Sequence, residues 1–275
     1  MWDGKIVVAG GLDAQGNAVS NVDIYDPTTD TWSRGPDLPV ALHHTAMATL
    51  DDRIYVVGGY RDEGRAWMPQ AAVWSIGPGE DEWRTAPPLT SPRGALAVAA
   101  TEDRLVAVGG VGPNEQVLTS TEELESAAER WAPGPELATA REHLTAVAVG
   151  GEVYAIAGRA GGLESNHDSV EVLRDGTWQN APALTFARGG VGAATVNGIA
   201  CVVGGEEPEG TIGSIECLTD GNWEVIGELD VPRHGLAVAV FDGALHVIGG
   251  GPEPGLTISG VHEVLRLGMR AAPPG

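Results

Sequence analysis

The chain reads as an all-β protein assembled from six copies of one four-stranded antiparallel sheet, and three observations predict this. A strand-like segment closed by glycine recurs at residues 6–11, 54–59, 105–110, 154–158, 201–205 and 245–250. Its leading positions are Gly10, Gly58, Gly109, Ala157 (with Gly158 after it), Gly204 and Gly249, giving intervals of 48, 51, 48, 47 and 45 residues. Tryptophan follows in five copies, at Trp32, Trp83, Trp131, Trp178 and Trp223, and a run of Ala, Gly and Val precedes each copy from the second onward. A repeat too short to bury its own apolar face is stabilised by stacking against its neighbours. Four short strands per repeat, arranged radially, make a β-propeller of six blades.

Within each repeat the elements follow in order. The innermost strand, a, is the small-residue run, as at residues 94–99 and 235–240, because blades crowd together near the axis. Strand b ends in the glycines, which permit positive φ and close backbone approach. An alternating strand c follows a variable loop, and the outer strand d begins near the tryptophan, whose ring packs between blades. Tight a-to-b turns are marked by Asp51 and Asp52, Asn197 and Gly198, and Asp242 and Gly243; Asp-Gly hairpins join c to d at Asp175 and Gly176 and at Asp220 and Gly221.

Composition narrows the function. The 275 residues carry 40 glycines and 18 prolines at 43% hydrophobic content, consistent with many strands and turns in a single domain over 1–275. A formal charge of −22 disfavours nucleic acid and anionic lipid as partners. No apolar stretch approaches the roughly 20 residues of a membrane span, and the N-terminus lacks the pattern of a signal peptide, so a soluble cytoplasmic protein is expected. Cys201 and Cys217 lie on strands b and c of the fifth repeat and are expected as two buried thiols; a cross-strand disulfide is the less favoured alternative.

Gly-Gly, then a c strand such as residues 21–27, then Trp32, repeated near every 48 residues, resembles the kelch family across essentially the whole chain. No strand of the repeat ends in the Trp-Asp dipeptide of the WD40 type. Only five inner strands can be counted, beginning near Leu42, Arg93, Arg141, Arg188 and Arg233, and a weak sixth d strand is expected to finish at 271–275. In many kelch propellers the far terminus supplies the first blade's inner strand. The chain is therefore expected either to be a fragment or to leave blade 1 with three strands and an open inner edge.

Strand order puts the long b-to-c loops and the d-to-a junctions at one end of each blade, and that end is expected to work. There Arg93, Arg141, Arg188 and Arg233 recur in register. Kelch propellers that bind acidic peptides place arginines at this position, so the resemblance implies ligand binding; the alternative is that the four pair with carboxylates and hold the blades together. His43, His44, His143 and His234 fall within two residues of the same position, and with Glu142 suggest a metal site or an acid/base pair. Strand alternation argues against His43 and His44 sharing one metal. Arg61, Arg65 and Trp67 in the second repeat and Arg159 in the fourth extend the candidate set. No cofactor and no metal is expected.

These residues support a module that binds a protein, an acidic peptide or a small anionic ligand, with arginine forks gripping carboxylates. The dimerisation domain of the kelch ubiquitin-ligase adaptors is not found in these 275 residues, so that specific role is not expected to transfer. The alternative is a small-molecule enzyme resembling the kelch sialic acid mutarotase, with Glu142 or Glu206 and His143 or His234 as acid and base and Arg141 or Arg233 on the substrate carboxylate. The copper oxidase built on a kelch propeller needs a tyrosine, cysteine and histidine constellation that cannot be placed here. Converging His and Glu side chains would favour chemistry, and a wide arginine ring would favour capture.

Overall fold

A computed structural model describes residues 3–64 and 66–268. Its strands divide between two compact units, Met1–Gly134 and Pro135–Gly275. In the first, blade 1 has β1 (Ile6–Ala9), β2 (Val22–Asp26) and β3 (Thr31–Arg34). Blade 2 has β4 (Ala46–Leu50), β5 (Arg53–Val57), β8 (Val73–Ile76) and β9 (Arg84–Ala86), and its long loop folds into a hairpin of β6 (Tyr60–Glu63) and β7 (Ala66–Pro69). Blade 3 has β10 (Ala97–Ala100), β11 (Arg104–Val108), β12 (Thr121–Glu125) and β13 (Ala132–Pro133).

In the second unit, blade 4 has β14 (Thr145–Val149), β15 (Glu152–Ile156), β16 (Val170–Arg174) and β17 (Thr177–Ala181). Blade 5 has β18 (Gly192–Val196), β19 (Ile199–Val203), β22 (Ser214–Thr219) and β23 (Asn222–Glu228), with a small hairpin of β20 (Glu206–Glu207) and β21 (Gly210–Thr211) in its loop. Blade 6 has β24 (Ala237–Phe241), β25 (Ala244–Ile248) and β26 (His262–Leu265). Every blade is an antiparallel meander in chain order, the all-β, six-bladed propeller architecture that the repeat predicts. Among the described residues blade 1 has three strands; the expected outer strand of blade 6 lies outside the described residues.

The core lies between sheets. Val57, Val73, Leu96, Leu105 and Trp131 pack where blades 2 and 3 meet, and Ile156, Val170, Val191, Val202 and Trp223 where blades 4 and 5 meet. Trp83 Nε1 donates to Pro36 O and Trp131 Nε1 to Pro87 O, both at 2.8 Å, so these two indoles tie blades 2 and 3 each to the blade before it. Trp32 is exposed and rests on the Tyr25 ring.

Two expectations need correction. The inner strands begin about four residues later than expected, because His44, Ala95, His143, Gly190 and Gly235 adopt φ of +49°, +51°, +50°, +65° and +60° and break the extended run. Each such residue instead joins neighbouring blades: Ala95 N donates to His44 O, Gly190 N to His143 O and Gly235 N to Gly190 O, at 2.7–3.0 Å. The cysteines, expected as free thiols, form a disulfide: they stand directly opposite each other on β19 and β22 with Cα atoms 4.1 Å apart, within covalent reach.

Candidate functional site

The four arginines are 0–1% exposed. Each lies just before an inner strand and folds back into its own blade. Arg188 donates to Gly204 O at the end of strand b, to Ser214 O and Oγ on strand c, and to the buried carboxylate of Glu216. Arg93 and Arg141 repeat this with Gly109, Ser120 and Glu122, and with Ala157, Ser169 and Glu171. Arg233 reaches Gly249 O and Glu263. The carboxylates in turn accept backbone N–H groups of the d-to-a connection, from Thr90, Ala138, Thr185 and Asp230. The set is a clip within each blade, and the guanidinium groups face backbone and carboxylate, not open solvent. Sequence reading missed the clip's acidic half, although Ser-x-Glu recurs at Ser120, Ser169 and Ser214.

The residues immediately after the arginine position carry the remaining candidates, and in blade 2 Leu42 stands where blades 3 to 6 have arginine. In blade 2, His44 in the left-handed conformation turns its ring to the same side as that of His43, and the two Nδ1 atoms meet at 2.5 Å. The alternation that separates adjacent side chains therefore does not apply here. Tyr60 and Trp67, from the β6–β7 hairpin, complete a group of four rings with centroids 4.5–5.9 Å apart. His43 is buried, and burial lowers its proton affinity below the ordinary 6.5 while Asp62 works in the opposite direction. Burial likewise pushes the Tyr60 phenol up to about 12. Asp62 Oδ1 lies 3.4 Å from His43 Nε2, and its other oxygen accepts the Ala18 N–H at 2.8 Å. Gly94 leaves the space for this group, since a Cβ there would meet the Tyr60 ring at 2.5 Å. Trp67 and its neighbour Met68 are each 38% exposed at the surface of the hairpin. Arg61 pairs with Glu63 on the same hairpin, and Arg65 lies outside the described residues.

The second unit holds a different group. Arg159 bridges two buried carboxylates, donating from Nε to Glu142 and from Nη1 to Glu206, at 2.9 and 2.8 Å. His143 Nδ1 contacts Glu142, and His234 Nδ1 lies 3.6 Å from Glu206. The second Glu206 oxygen accepts Gly255 N–H at 2.9 Å, and His234 Nε2 lies 3.0 Å from Glu253 O. His143, His234 and Arg159 thus converge with two glutamates, but the carboxylates are nearly closed off and engaged on both oxygens. Among the described residues no three His, Cys, Asp or Glu side chains form a ready metal cage.

The Kelch motif family matches residues 2–39, 41–90 and 140–185. The chain is a kelch-repeat β-propeller. Its relatives include Kelch-like protein terF of Aspergillus terreus (27% identity, 74% of this chain and 48% of the relative) and Beta-scruin of Limulus polyphemus (30% identity, 62% and 20%). A segment of 80 residues is 32% identical to Galactose oxidase of Gibberella zeae, covering 26% of this chain and 11% of that protein. The chain spans about half or less of the length of these kelch relatives. Among solved structures, that of YjhT superposes with a TM-score of 0.82 over 96% of this chain and 95% of the other, at 14% identity, which shows a shared fold. No described helix is long and apolar enough to cross a membrane.

Proposed function

We propose that this kelch propeller is a binding module that seats a protein or peptide partner on the loop end of blade 2. The observation that carries the reading is the exposed Trp67 and Met68 on a hairpin whose base is anchored by the packed rings of His43, His44 and Tyr60. A large side chain that is already ordered and half exposed loses little conformational entropy on binding, and tryptophan is enriched among residues that dominate interfaces. Capture of an acidic peptide or small anion by the arginines is less well supported. Arg93, Arg141, Arg188, Arg233, Arg159 and Arg61 all pair with carboxylates, so an anion would have to displace each one.

Thermal-shift titration with acidic peptides, basic peptides and anionic sugars tests this. A peptide that raises the melting midpoint of the parent and not that of Trp67→Ala supports it. A ligand that stabilises parent and variant equally, while Arg159→Ala abolishes the effect, overturns it in favour of the second unit. A second reading, acid/base chemistry on an anionic sugar, rests on the pairing of His143 with Glu142 and of His234 with Glu206. Anomer exchange followed by NMR, abolished in His143→Asn, would support that reading.

A further inference from the structure

We infer that the loop end of blade 2 selects an arginine side chain on its partner, the guanidinium lying over Trp67 and pairing with Asp62. This rests on the reading of the blade 2 hairpin as the binding surface and names the chemistry that the surface takes.

Register brings the two groups together. In the hairpin Asp62 stands directly opposite Trp67. Residues opposite each other share one face of the ladder, with Cβ atoms about 4.5–5.5 Å apart, so the carboxylate and the indole lie side by side. Arg61 and Glu63, the neighbours of Asp62 in sequence, belong to the other face and pair with each other. On its own face Asp62 has no arginine or lysine partner among the described residues. One of its oxygens accepts the Ala18 N–H at 2.8 Å and the other lies 3.4 Å from His43 Nε2. Burial favours the uncharged form of His43, so that contact does not neutralise the carboxylate, whose side chain is 32% exposed. Burial first, and then the negative charge of Glu115 on the blade 3 loop, hold the Tyr60 phenol up at about 12, which places a second, exposed carboxylate near the same rings.

The repeat supplies its own comparison. The residue after the second glycine of strand b bridges the residue that follows the arginine position: Arg159 meets Glu142 in blade 4, and Tyr60 meets His43 in blade 2. In blade 4 that residue is the counter-charge of two loop-end carboxylates, Glu142 and Glu206. Blade 2 has an aromatic ring there, and its carboxylate is left to a cation from outside. The aromatic half of the site fits the same ligand. Trp67 is propped by His43 and His44 at centroid distances of 4.5 and 5.2 Å and stays 38% exposed. Indole is the best ring for a cation, and guanidinium is planar, stacks on aromatic faces and offers a carboxylate a fork of donors. Lysine, a strongly hydrated point charge, fits the stacked half less well. An acidic or wholly apolar partner would cover Asp62 without supplying a counter-charge, which costs stability.

The probe is the blocked tripeptide acetyl-Gly-Arg-Gly-amide, with the citrulline tripeptide, neutral and of the same shape, as its control. Each is titrated into nitrogen-labelled protein while NMR follows the Trp67 indole N–H and the Met68 backbone N–H. The arginine probe should move both resonances saturably, with an affinity at least about 3-fold above that of the citrulline probe. Asp62→Asn, which keeps an acceptor for the Ala18 N–H, and Trp67→Leu, which keeps an apolar side chain, should each weaken the arginine probe about 3-fold or more, with circular dichroism showing both variants folded. Resonances that stay in place, equal affinity for the two probes, or an unchanged affinity in folded Asp62→Asn overturns the inference. Its failure is distinct from that of the binding reading. A neutral or acidic peptide that stabilises the parent and not Trp67→Ala sinks the arginine preference and leaves the reading standing, whereas peptides of every charge that are indifferent to Trp67→Ala sink both.

Discussion

Arg188 and Glu216 are both fully buried, and each is the other's counter-charge. Removing one leaves an uncompensated charge in a dry setting, a loss of about 3–5 kcal/mol, whereas replacing both with apolar residues of similar volume is often neutral. Urea unfolding of Arg188→Met should therefore show a loss of that size, and the double variant Arg188→Met with Glu216→Leu should recover most of it. The recurrence of these arginines was legible in the sequence, but the direction of their side chains was not. A side chain of that length can reach inward to the blade or outward to the loops, and only the Ser and Glu of strand c, met 26 to 30 residues later, decide between them. His44 was misjudged for a similar reason. Alternation holds only while the backbone is extended, and the sequence signal of a positive φ at this position lay in other repeats, where Gly190 and Gly235 occupy it.

At the level of elements, blade 5 carries the Cys201–Cys217 disulfide across β19 and β22, closing a segment with a sequence separation of 16. A loop of that length constrains the unfolded chain by about 3 kcal/mol in the chain-entropy model. Double replacement by alanine should lower unfolding stability by about that amount, and thiol titration of the denatured, unreduced parent should find no free cysteine. The two residues could be placed on facing strands from the repeat, but pairing requires direct register, which is set by the loop between them. That loop folds as the β20–β21 hairpin, and its counterpart in blade 2 is the β6–β7 hairpin that carries Trp67. Both stand in the sequence as variable connections, since neither flanks its turn with the alternating apolar and polar residues that mark a hairpin.

For the whole molecule, the acid side of the stability profile is shaped by one buried and one half-buried histidine. His246 and His167 hold their protons less tightly than an ordinary histidine, His246 through burial, then His262 and Arg266, and His167 through burial, then Arg141. The unfolded chain therefore binds more protons once the pH falls below the ordinary 6.5, so stability is fully present above that value and is lost on acidification. Urea midpoints should fall between about pH 7.5 and 5.5, and His246→Gln should flatten the slope. An unchanged slope in that variant would place the proton uptake elsewhere.

The amino-acid sequence by itself determined the six repeats, the four-strand plan of the blades, the three-stranded state of blade 1 among the described residues and the register of the candidate arginines and histidines. These follow from period and residue type, which are local properties. Only the tertiary structure decided which of those residues face outward, that two cysteines meet, and that adjacent histidines converge within a wall of aromatic rings. Each of these depends on a backbone angle or a cross-strand register fixed by packing between distant segments, and no single stretch of sequence contains it.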